Sequence, residues 1–109
     1  ALSDPPQALW IEGAPPSGAP LRAGERLRLR CLARGGHPPP RLAWTKDGRP
    51  FRDGRQAPVA AGSLTGRELA LTLAPGDHGA AYGCEAAGDP RGDPPRALVR
   101  LRVLCEWPP

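Results

Sequence analysis

The sequence predicts an all-β fold, a two-sheet antiparallel sandwich of about seven short strands, and three observations predict it. Fourteen Gly and sixteen Pro among 109 residues leave few stretches long enough for a helix. The apolar residues fall instead into short runs that alternate with polar ones at period two, as in strands with one buried and one wet face. These runs recur about every ten residues with turn residues between them. The chain length suits one domain, residues 1–109, with linker-like ends near 1–5 and 106–109. Leu, Ile, Val and Phe make up only about 17% of the chain, a fraction common in disordered segments. The net charge of +4 is too small to hold the chain open, however, and the apolar residues are concentrated rather than scattered. No apolar run approaches the ~18 residues of a membrane span. Met is absent and no signal peptide precedes the first strand, so a processed form or a piece of a longer chain is expected.

Each element has its own justification. Ala8–Ile11 is a short apolar run broken by Ala14-Pro15-Pro16-Ser17-Gly18, which suits an edge strand. Glu25–Ala33 gives the clearest alternation: Leu27, Leu29, Cys31 and Ala33 point one way and Arg26, Arg28 and Arg30 the other. Gly35–Pro40 reads as a loop. Arg41–Thr45 turns Leu42 and Trp44 inward, and Asp47-Gly48 marks a turn. Residues 49–63 are weakly patterned, with room for one or two short strands around Phe51 and Val59. Arg67–Leu73 places three Leu on one face before Pro75-Gly76-Asp77 breaks the chain. Ala80–Ala87 alternates Tyr82, Cys84 and Ala86 against Ala81, Gly83 and Glu85. After a long loop, the last strand runs from about Arg96 to Leu104 with Val99, Leu101 and Val103 inward.

Fourteen of the fifteen basic residues are Arg, and Asn is absent, so no N-glycan can mask either face. An Arg-rich, basic chain suits polyanions, although compositional drift accounts for the same counts. Nucleic acid is not expected as a partner, because no stacking aromatics interleave the Arg residues.

Cys31 and Cys84 lie mid-strand on inward faces, Trp44 follows Cys31 by thirteen residues on the next strand, and Tyr82 precedes Cys84 by two. This Cys…Trp…Tyr-x-Cys layout resembles the immunoglobulin superfamily over nearly the whole chain. The resemblance implies a Cys31–Cys84 bridge between the sheets, Trp44 packed on it, and Tyr82 turning its hydroxyl to backbone at the corner near Pro75–Asp77. Asp77-His78-Gly79-Ala80-Ala81-Tyr82-Gly83-Cys84 carries one residue more than the family's usual Asp-x-Gly-x-Tyr-x-Cys. That form, Ala33–Pro39 and Trp44–Gly48 are similar to segments of nephrin-type cell-adhesion receptors. The spacing of the two cysteines suits the C2 or I sets.

The resemblance implies an extracellular binding module of a cell-surface receptor, or a secreted one, with a heterophilic protein partner and neighbouring immunoglobulin domains. It implies no enzyme, no cofactor, no metal and no membrane insertion by this segment. His37 and His78 lack a second ligand at metal spacing, and the three Ser residues lack a nucleophile pattern. Two further readings stay open: a basic module docking on glycosaminoglycans through Arg26, Arg28, Arg30, Arg100 and Arg102, and a structural spacer in a string of domains. The face of the third, sixth and seventh strands would present Arg41, Ala43, Thr45, Gly83, Glu85, Arg100 and Arg102. Its like charges disfavour self-pairing. Arg91-Gly92-Asp93, the tripeptide recognised by integrins, falls in the long loop; ordinary surface charge is the competing reading. Cys105 is the odd cysteine, either able to link a second chain or domain or simply a small packed residue.

Overall fold

A computed structural model of the chain describes residues 4–87 and 94–104. Ten strand segments build it: β1 (Asp4–Glu12), β2 (Leu21–Arg22), β3 (Arg26–His37), β4 (Arg41–Lys46), β5 (Arg49–Pro50), β6 (Arg55–Ala61), β7 (Leu64–Thr72), β8 (Ala81–Ala87), β9 (Arg96–Arg100) and β10 (Val103–Leu104). Single 3-10 turns at Pro16–Gly18 and Pro75–Asp77 are the helical elements among the described residues. Sheet one has the order β1-β3-β7-β6 and sheet two the order β5-β4-β8-β9, all antiparallel, while β10 and β2 form a small parallel pair. The expected two-sheet sandwich is therefore the fold.

The sandwich forms because most of its sparse aliphatics lie on inward faces and meet there. From sheet one come Leu27, Leu29, Cys31, Leu69 and Leu71; from sheet two come Trp44, Tyr82 and Cys84; Leu73, Leu101 and Val103 close one end. Cys31 and Cys84 are bonded across the gap with their Cα atoms 6.2 Å apart. Trp44 is the cross-strand partner of Cys84 and is 2% exposed.

Several elements differ from expectation. Gly35, Gly36 and His37 belong to β3 rather than to a loop, because β1 begins at Asp4 and supplies partners: Asp4 opposite His37 and Pro6 opposite Gly35. Asp4 and Pro5 are accordingly strand, not linker. Pro is tolerated there because β1 is an edge. After the break at Pro15–Gly18 the chain changes sheets. Leu21 N–H donates to Arg102 O and Ala23 N–H to Leu104 O, which splits the last strand into β9 and β10. In the weakly patterned stretch, Val59 lies in β6, whereas Phe51 follows β5 and packs edge-on against Tyr82, with ring centroids 5.5 Å apart. The turn Lys46-Asp47-Gly48-Arg49 joins β4 to β5 with φ positive at both central residues, the geometry for which Asp-Gly is favoured.

The bridge closes a loop of 53 residues, so the chain-entropy model assigns it about 4 kcal/mol. A Cys31→Ala/Cys84→Ala chain should lose that much in urea denaturation monitored by tryptophan fluorescence. A loss under ~1 kcal/mol would mean that packing alone holds the sheets together.

Candidate functional site

Side chains on sheet two that do not enter the core line its outer face, and cross-strand register sets them in rows. Ala43, Glu85 and Arg96 form one row, and Thr45, Gly83 and Leu98 form the next, with Arg100 beside Ala81 below them. Arg41, Ala43, Arg96 and Arg100 are exposed and Thr45 and Glu85 partly so. Leu98 is 62% exposed, the largest exposure among the described large hydrophobics. Gly83 is the reason it lies flat. A Cβ at Gly83 would stand 2.6 Å from Thr45 Oγ1 and 3.4 Å from Leu98 Cδ1, so the bare backbone lets both neighbours close over it. The result is a smooth strip of Ala43, Thr45, Gly83 and Leu98 that reaches the sheet edge at β9, with Arg41 and Arg96 toward one end and Arg100 toward the other. Arg96 takes the outward place that the sequence pattern assigns it with Arg100, and Leu98 joins the face as the residue that pattern does not single out; the inward alternation of Val99 and Leu101 is the signal that points it outward.

The lower end of the face is fixed by a buried polar cluster. Tyr82 Oη donates to Asp77 Oδ1 at 2.8 Å, Lys46 Nζ donates to the same oxygen at 3.0 Å, and Ala74 N–H donates to Oδ2 at 2.9 Å. The hydroxyl thus meets a carboxylate and not the expected backbone carbonyl, because the 3-10 turn at Pro75–Asp77 folds Asp77 back under β8. Burial alone would raise the Asp77 pKa, but the Ala74 N–H, Lys46 and the Tyr82 hydroxyl outweigh it and hold the carboxyl below its ordinary value. Burial, then the bond to Asp77 and the nearby carboxylate charges, push the Tyr82 hydroxyl well above its ordinary value, so it stays a donor. The ammonium of Lys46 lies 5.6 Å from the centre of the Tyr82 ring. Asp47 Oδ1 accepts from Ala81 N–H and its own N–H donates to Ala81 O, clamping the start of β8. Arg100 Nη1 donates to Gly79 O, and His78 Nδ1 accepts from Val103 N–H. His78 is thus a structural acceptor for β10, while His37 lies exposed at the end of β3.

The remaining sequence candidates separate in space. Arg26, Arg28 and Arg30 line the outer face of sheet one, and Glu68 lies 3.7 Å from Arg28 Nε and 3.6 Å from Arg30 Nε. Arg100 and Arg102 belong to the opposite side, and the structure does not bring the two sets together. Arg91-Gly92-Asp93 and Cys105 lie outside the described residues. Among the described residues, no three His, Cys, Asp or Glu side chains are grouped to hold a metal ion.

A family model described as immunoglobulin domain matches residues 5–87. The chain belongs to the immunoglobulin domain family. Within that family this immunoglobulin domain is 46% identical to mouse nephrin (Mus musculus) over 115 aligned positions, which cover 96% of the chain and 8% of nephrin. It spans less than a tenth of that relative's length. Among solved structures it superposes on Rst D1-D2 with a TM-score of 0.70 at 20% identity, covering 92% of this chain and 50% of that one. On the full ectodomain of mouse nectin-like molecule 4 the TM-score is 0.68 at 20% identity, covering 92% of this chain and 34% of that one. The immunoglobulin domain is thus related to nephrin and shares its fold with these two solved structures.

The Asp77 cluster makes a pH prediction. A carboxylate held below its unfolded value of ~3.9 contributes stability that is complete above that value and is lost as pH falls through the lower folded value. Asp77→Asn should lower unfolding stability at neutral pH by roughly 2 kcal/mol, because Tyr82 and Lys46 lose a charged acceptor. The gap between the two proteins should narrow below about pH 4. Denaturation midpoints measured across pH check both; a gap independent of pH would show that Asp77 acts by shape and not by charge.

Proposed function

We propose that this immunoglobulin domain is an extracellular protein-recognition module of a cell-surface adhesion or recognition receptor, and that it docks a different protein through the outer face of sheet two. It serves by binding and not by catalysis. Adjacent domains of the same kind would carry it at the cell surface. The observation that carries the reading is Leu98, a large aliphatic held exposed beside Gly83 on the edge strand of a flat face. Apolar centres with charged rims are the usual anatomy of protein interfaces. Relatedness to nephrin and the structural likeness to a nectin-like ectodomain support the receptor setting.

The rim sets the partner's chemistry. Arg41, Arg96 and Arg100 flank the apolar strip, with Glu85 the acidic member of its rows. Two copies meeting face to face would oppose these guanidinium groups, whereas an acidic rim on another protein would match them and speed encounter. The partner is therefore a protein with a small apolar recess and acidic surroundings.

Two outcomes follow. A tetramerised, labelled chain should bind a subset of receptor ectodomains on an array, and Leu98→Arg should weaken that binding at least tenfold, while Arg30→Ser on the other sheet leaves it unchanged. Binding unaffected by Leu98→Arg would exclude this face. The Cys105→Ser chain should sediment as a monomer at micromolar concentration; a tight non-covalent dimer would contradict heterophilic docking.

A further inference from the structure

The outer face of sheet one carries a site that sequence alternation along β3 shows only in half. Arg28 on β3 lies opposite Ala70 on β7, and Ala70 lies opposite Arg55 on β6, so two guanidinium side chains flank one methyl group in a single row. The neighbouring row adds Arg26 opposite Thr72. Strands about 4.8 Å apart set the Cα atoms of Arg28 and Arg55 roughly 10 Å from each other, and Arg26 stands about 7 Å along the strand from Arg28. These residues line a cleft of about 490 Å³ together with Gly54, Ala70, Leu71 and Thr72. No carboxylate lines it. Glu68, one row further on, lies near Arg28 and Arg30 at more than hydrogen-bond distance, and Arg28 stays 79% exposed. Among the described residues, Arg26 and Arg55 have no ion-pair or hydrogen-bond partner for their side chains.

We propose that Arg26, Arg28 and Arg55 form a docking site for a sulfated polysaccharide chain. Guanidinium groups pair with sulfate through two parallel N–H donors each and are weakly hydrated, so they suit this anion better than ammonium groups do. The cleft's cations are spread along and across the strands, an arrangement that follows an extended polyanion and does not enclose a single small one. The apolar residues of the same face are not available as a membrane wedge. Leu32 is 4% exposed, lying in the row of Trp10, Gly66 and Val59, and the Arg34 guanidinium lies 5.6 Å from the Trp10 ring centre. Because this site is on the sheet opposite Leu98, polysaccharide and protein partner can be bound together.

The test is retention on immobilised heparin with the 109-residue chain. The wild-type chain stays bound at ~0.15 M salt and elutes at higher salt. Arg26→Ser/Arg55→Ser loses retention there, and the slope of log affinity against log salt falls by about two. Arg41→Ser/Arg96→Ser, with the same charge change on the other sheet, elutes with wild type. Exposed side chains are changed in both variants, so their thermal unfolding midpoints match the wild type. Equal loss in both variants would mean that net charge alone binds heparin and would overturn the site. So would equal binding of desulfated heparin, of polyglutamate or of phosphatidylserine vesicles.

Discussion

The bond between Cys31 and Cys84 is the constraint on which the other contacts depend. A chain with so few aliphatic residues has little apolar surface to hide, and a small domain in that position commonly relies on a covalent staple. The bridge joins the central strand β3 of sheet one to the central strand β8 of sheet two. It fixes the distance between the sheets where the core is deepest. The largest fully buried side chains, Trp44 and Tyr82, lie on β4 and β8, next to or two residues from Cys84. Their packing therefore depends on the spacing that the bridge imposes, and the leucines of β3 and β7 meet them from the other side.

Bulk packed by aromatic residues brings polar atoms with it, and the molecule handles them unequally. Tyr82 delivers its hydroxyl to a carboxylate that Lys46 and a backbone N–H also hold, so a buried charge is satisfied on three sides. Removing Asp77 would take the acceptor from the Tyr82 hydroxyl and the Ala74 N–H together, which costs more than one bond contributes. Trp44 Nε1, by contrast, is buried with no hydrogen-bond partner among the described residues. An unpaired indole N–H costs on the order of 1–3 kcal/mol. The ring's large apolar area against the bridge offsets that cost. One polar group is thus built into a network and the other is tolerated.

The sandwich, its core strands and the central cysteines, Trp44 and Tyr82 were legible because burial writes itself into period-two alternation wherever a strand has one wet face. The errors fall where alternation stops carrying information. Gly35–His37 reads as a loop because Gly has no side chain to show a face; only a partner strand, β1, makes the segment extended. The β2–β10 pair is two residues long and parallel, too short for any pattern. Arg55 went unassigned because β6 is an edge strand exposed along most of its length, with Arg, Ala and Pro in no regular order. The acceptor of the Tyr82 hydroxyl could not be read either, since it depends on how the turn at Pro75–Asp77 folds back.

Leu32 and Leu98 show why one outer face is closed and the other open, although both use the same device. Each leucine points away from the core, and each lies beside a glycine that lets it rest on bare backbone: Leu32 beside Gly66, Leu98 beside Gly83. Leu32 is on β3, an inner strand, with Trp10 of β1 opposite it on one side and Gly66 then Val59 on the other. Neighbours on both sides seal it. Leu98 is on β9, the edge of sheet two, and its row supplies only Gly83 and then Thr45, both on one side. An edge strand has no second neighbour, so no side chain of this chain's own sheet can complete the cover. The exposure of Leu98 follows from its place in the sheet order and not from any irregularity of the strand. Any further cover for Leu98 has to come from outside the sheet, which is the physical basis for proposing this face, and not the outer face of sheet one, as the protein-docking one.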